Sequence, residues 1–121
     1  MKRVVITGLG CVSPLGNNID TMWSRLQKGE CAIRQIQSMP IDNLPVQIAA
    51  EVLDFNPEEQ GLDKSTVRHN DRYAQFALAA ANQAMRDSGL NVGVDVAPER
   101  FGTAIGSGIG GIHTLIGRAH V

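Results

Sequence analysis

Arg3-Val4-Val5-Ile6-Thr7-Gly8-Leu9-Gly10-Cys11-Val12-Ser13-Pro14-Leu15-Gly16 opens the chain and decides its fold class. From Arg3 to Leu9 the run is almost unbroken apolar and β-branched, the pattern of a strand covered on both faces. Glycines then punctuate a turn, and Asn17-Asn18 stands where a helix should begin.

Working outward, Ile19, Met22, Trp23 and Leu26 fall on one face of a helix capped by Asn18, and Gly29 occupies the left-handed position after its end. Residues Ile33 to Pro45 hold two prolines and no sustained period, which reads as loop. Gln47 to Val52 suits a second strand, and Asp54-Phe55-Asn56-Pro57 starts a short helical turn with Pro57 at its first position. The strongest periodicity predicts a helix from about Asp71 to Ser88, ended by Gly89. Its stripe is Tyr73, Phe76, Ala77, Ala80, Ala84 and Met85. Phe101 to Ile105 reads as a third strand, followed by glycine-rich Gly106 to Gly111 and a helix starting at Ile112. The order β-α-β-α-β-α predicts an α/β sheet with helical crossovers in one domain, residues 1–121.

Composition narrows the functions. Hydrophobic residues make up 43% and charged residues 19%, which is globular. Aromatics are only 4%, so the expected core is aliphatic, with close backbone approaches at glycines. A net charge of -1 without a basic run argues against nucleic acid and anionic membranes as partners. No apolar stretch reaches membrane-spanning length and the start lacks a signal-peptide pattern. Two cysteines without a framework spacing suit a reducing compartment, so a cytoplasmic protein is expected.

Three kinds of residue in the chain are candidates for chemistry. Gly106, Gly108 and Gly111 form a literal G-x-G-x-x-G between an expected strand and an expected helix, but no acidic residue follows about twenty positions later, as a dinucleotide site needs. Backbone packing explains the glycines better, and no cofactor is expected. Cys11 lies in a turn with no helix N-terminus, and Cys31 has Glu30 beside it, so neither has the setting that activates a thiol. His113 and His120 would stand about 10 Å apart along a helix, too far to share a zinc ion, and His69 sits near a helix start where capping or a surface position is the default. No metal site and no Ser/His/Asp or paired-carboxylate arrangement stands out.

Four stretches carry a family likeness. They are Val4 to Gly10 with Ser13 to Gly16; Asp54-Phe55-Asn56-Pro57-Glu58; Asp71 to Ala81 with Asp87-Ser88-Gly89-Leu90; and Ile105 to Gly111. In that order and spacing the chain resembles the N-terminal portion of the β-ketoacyl-acyl-carrier-protein synthases, closest to the type II condensing enzymes of bacterial fatty-acid synthesis. The resemblance implies a thiolase-like fold layered α-β-α-β-α, of which this is an incomplete N-terminal half, and a homodimer. It implies a decarboxylative condensation in which a cysteine thioester receives the enolate of malonyl-carrier protein. Acyl carrier protein and acyl thioesters are then the partners, and a local cationic patch could dock the acidic carrier.

In that family the nucleophile sits in A-C-T/S-small-G and two histidines sit in N-A-H-G-T and G-H contexts. None of these occurs in the 121 residues, so no catalytic residue is assigned and this chain alone is expected to be inactive. Ile109 matches a family position bordering the acyl tail; core filling beneath a tight turn is the competing account. Two departures stand out. His69-Asn70 replaces a basic-plus-methionine pair, which a helix start can absorb because Asn caps well. The tail from Ile116 lacks the acidic residues expected there, as a partial or frameshifted coding sequence would. The rival reading is a non-catalytic α/β binding or scaffold module on the same fold.

Overall fold

The computed structural model describes the backbone of residues 3–119, and their side chains other than those of residues 113, 118 and 119. Residues Cys11–Asn56 form one compact unit, and the described residues on either side of them form the other.

In the first unit, helix α1 spans Ile19–Gln27, and Asn18 Oδ1 accepts the Thr21 N–H at 2.8 Å. The helix closes as a Schellman turn. Gly29 has φ 70°, its N–H donates to Leu26 O, and the Glu30 N–H donates to Arg25 O. Both ends therefore follow the sequence reading. Strand β1 (Ile33–Gln35) pairs antiparallel with β2 (Ile48–Ala50), in the register Ile33 to Ala50 and Gln35 to Ile48. β1 falls inside the stretch read as loop. Pro40 and Pro45 lie in the connection beyond it, so they do not interrupt the pairing. β2 is also shorter than the expected Gln47 to Val52.

The second unit is helical. Pro57 to Leu62 make a single turn closed by Gly61 (φ 78°), with Gly61 N–H donating to Glu58 O and Leu62 N–H to Pro57 O, the same Schellman pattern. Leu62, the residue after the turn, is buried. Helix α2 (Lys64–His69) is capped by Asp63, whose carboxylate accepts the Thr66 N–H and hydroxyl; these bonds hold its pKa below the usual carboxylate range. Helix α3 spans Arg72–Ser88 and stops at Gly89, φ 64°. Helix α4 spans Ile112–Ala119, beginning where the sequence places it.

The end of α2 corrects the reading of His69-Asn70. Asn70 does not start α3, whose N-cap is Asp71. Instead Asn70 and Gln75 cover carbonyls that the helix end leaves without partners, while His69 bonds back to a carbonyl within its own helix. His69 Nδ1 donates to Ser65 O at 2.8 Å, Asn70 Nδ2 to Thr66 O at 2.8 Å, and Gln75 Nε2 to Val67 O at 3.1 Å. Gln75 and Ala79 are the buried positions of α3. At about 100° per residue they lie roughly opposite the expected stripe, in which the structure leaves Tyr73 exposed and the other positions half-buried.

That stripe has another occupant. A Cβ added at Gly8 would collide with Ala84 O, and one at Gly10 with Ala80 O. Two residues of the opening segment thus match four of the helix in reverse order. An extended pair covers about 6.6 Å and one α-helical turn of four residues about 6 Å, so Gly8 to Gly10 runs extended and antiparallel along α3. Leu9 N–H donates to Asp87 Oδ2 at 2.8 Å.

The strand expectation fails here. Arg3 to Leu9 has no pairing partner among the described residues, and Val4, Val5 and Ile6 are 96%, 73% and 82% exposed. Phe101 to Ile105 is likewise unpaired, so the expected β-α-β-α-β-α sheet is reduced to the β1–β2 pair. An apolar run specifies burial; it does not carry the partner whose backbone must complete each strand.

Candidate functional site

The glycine run 106–111 leads into α4 and comes to rest against the start of α3. Ser107 Oγ accepts the Gly110 N–H at 3.0 Å, and Gly110 takes φ 75° beside the Tyr73 ring. This φ is one that glycine adopts without penalty. A cleft of about 220 Å³ opens between Asp71, Arg72, Tyr73 and Phe76 on one side and Gly110 to Ile112 on the other. The Arg72 guanidinium lies 5.1 Å over the Phe76 ring, so the wall at that point is a cation–π pair.

Asp71 joins the two sides. Its backbone carbonyl starts α3 by accepting from Ala74 and Gln75, while its side chain makes no capping bond to that helix. The carboxylate accepts the Thr114 hydroxyl at Oδ1, and Oδ2 occupies the space that a Cβ at Gly111 would need. Nothing in the sequence pattern announces this pairing, since its partners are 43 residues apart and Thr114 lies in none of the four quoted stretches. The arrangement also argues against a phosphate at the G-x-G-x-x-G. The expected preceding strand is not formed, and the first turn of α4 already holds a carboxylate.

Ile109 does not line the cleft, and its side chain is 74% exposed, so it fills no core within the described residues. Cys11 is half-buried, and burial pushes its thiol pKa up, away from nucleophilic use; Cys31 is exposed. His69 serves α2, the His113 side chain lies outside the described side chains, and His120 lies outside the described residues. Among the described residues no group of three or more His, Cys, Asp or Glu could hold a metal ion, and no helix is long and apolar enough to cross a membrane. In the unit of residues 11–56, Arg25 donates to Leu15 O and pairs with Glu30 at 3.4 Å.

The sequence model described as "Beta-ketoacyl synthase, N-terminal domain" matches residues 1–120. The chain is 50% identical over 111 residues to a 3-oxoacyl-[acyl-carrier-protein] synthase 2 of Coxiella burnetii, an alignment covering 92% of this chain and 26% of that protein. A protein of the same description from Staphylococcus aureus is 42% identical over 114 residues, covering 94% and 27%. Among solved structures, the chain is similar to the ishigamide ketosynthase/chain length factor with TM-score 0.64 and 30% identity, over 72% of this chain and 21% of that one. The chain spans about a quarter of the length of the curated relatives it matches. With a family match running through all four of the quoted stretches, the chain belongs to the β-ketoacyl synthase N-terminal domain family.

Proposed function

We propose that this chain is the N-terminal part of a 3-oxoacyl-acyl-carrier-protein synthase, which condenses malonyl-carrier protein with an acyl thioester in fatty-acid biosynthesis. The observation that carries the reading is 50% identity across 92% of the chain to a relative of that description. In the intact enzyme a cysteine outside these 121 residues takes the acyl group as a thioester. Malonyl-carrier protein loses carbon dioxide, and its enolate attacks the thioester carbonyl while positioned donors stabilise the developing oxyanion. Collapse then breaks the C–S bond, expelling the cysteine thiolate and leaving the β-ketoacyl group on the carrier protein. The role of this chain is structural and selective. It contributes the first elements of a layered α-β-α-β-α half in a cytoplasmic homodimer, and it presents Ile109 to the acyl tail. Ile109 is 74% exposed and fills no core among the described residues, so its side chain is open to a neighbour that the rest of the enzyme or the acyl chain supplies.

Three measurements test this. The coding sequence downstream of residue 121 should continue in frame through A-C-T/S-small-G and both histidine contexts; a true stop codon in a complete transcript would favour the binding-module reading. The chain alone, given acyl- and malonyl-carrier protein, should release no carbon dioxide and form no β-ketoacyl product. Product that disappeared with Cys11→Ser or Cys31→Ser would expose a nucleophile wrongly passed over. In the intact enzyme Ile109→Phe should melt normally, still elongate short acyl donors and fail with long ones. Equal loss across chain lengths would return Ile109 to the core.

A further inference from the structure

Among the described residues no core holds Ile109: the side chain is 74% exposed, so its direction follows the backbone on which it stands. That backbone is fixed on either side of Gly110. Before it, Ser107 Oγ accepts the Gly110 N–H. After it, one carboxylate makes two contacts, receiving the Thr114 hydroxyl at Oδ1 and filling the space above Gly111 with Oδ2. That carboxylate belongs to Asp71, which is placed at the N-cap of α3 but makes no side-chain bond to its own helix. An N-cap aspartate commonly bonds its own first turn; here the acceptor is turned to the start of the next helix instead.

We propose that Asp71 and Thr114 are positioning residues that lock the glycine run onto α3, and thereby fix the aim of Ile109 and the acyl-length discrimination it exerts. The proposal rests on the reading of Ile109 given above. Gly111 is the third part of the lock, because only a residue without a Cβ admits the carboxylate so close to the chain. With the hydroxyl removed, the carboxylate loses its donor and the run between Ser107 and Thr114 is tied at one end only.

The test uses the intact enzyme, with Thr114→Val, which keeps the shape and deletes the hydroxyl, and Thr114→Ser, which restores it. Thr114→Val should change the ratio of kcat/KM for short against long acyl donors by about fivefold, the scale of one net hydrogen bond. Thr114→Ser should return the ratio to that of the unaltered enzyme, and neither variant should move the melting temperature appreciably. Gly111→Ala should disturb the ratio in the same way, and Asp71→Ala combined with it should undo part of that effect, a non-additivity expected only if the two groups meet. Amide exchange at residues 109–112 needs no catalysis and should quicken in Thr114→Val. An enzyme that does not condense, or an Ile109→Phe variant that keeps its long donors, sinks the reading of Ile109. Unchanged exchange and an unchanged donor ratio in Thr114→Val, in an enzyme that condenses, overturn the positioning role itself.

Discussion

Helix α3 and the opening segment Arg3 to Leu9 are both rich in apolar residues, yet one is a formed element and the other is not. α3 completes its hydrogen bonds within its own chain of turns, starts at Asp71 and stops at a left-handed Gly89. The opening segment has the composition of a strand but, among the described residues, no strand beside it, and it is held where Gly8 to Gly10 lies against the helix. A helix can be specified locally; a strand is half of an interaction.

The largest effect should come from testing the exposed half of the segment. Fully burying one Val or Ile side chain is worth about 1.5–3 kcal/mol, and Val4, Val5 and Ile6 forgo most of it. The isolated chain is therefore expected to bind a hydrophobic dye, aggregate and melt broadly, and Val4→Thr with Ile6→Lys should relieve the aggregation. A sharp cooperative melt of a monodisperse, unaltered monomer would break the comparison.

In that relieved background Gly10→Val probes the docked half. The new side chain meets the Ala80 carbonyl, for which a cost of about 2–3 kcal/mol is expected. The readout is faster exchange of the Leu9 amide, which donates to Asp87, while amides in the middle of α3 keep their protection. Equal loosening of both would show that the helix depends on the segment.

Smaller again is Asn18→Ala, which removes the acceptor for the Thr21 N–H and should cost about 1 kcal/mol, seen as reduced protection in the first turn of α1 alone. The gentlest probe is pH. Glu51 follows β2 and accepts the N–H groups of Gln37 at 2.7 Å and Ser38 at 3.2 Å. Bonding from Ser38 and then Gln37 holds its pKa below the ordinary carboxylate range, with Arg34 adding a smaller push in the same direction. A depressed folded pKa means that the stabilisation is present above the unfolded value and is lost as pH falls through the folded one. Protection of the Gln37 and Ser38 amides should therefore persist down through the usual carboxylate range and vanish only below it. In Glu51→Gln it should be weaker and insensitive to pH there.

Local chemistry was legible where a few adjacent residues settle the matter. Asn18 and Gly29 fixed both ends of α1, Gly89 ended α3, and Ile112 opened α4 as read. Family membership was legible too, because four stretches in order constrain far more than any one of them. What the sequence could not carry was pairing across distance. The β1–β2 register, the capping of α2 by Asn70 and Gln75, the use of the α3 alanine stripe by two glycines, and the Asp71–Thr114 contact were decided only by tertiary structure. The reason is physical: a cap or a helical turn closes its bonds within a few residues, whereas these contacts each need a partner that the local sequence neither encodes nor excludes.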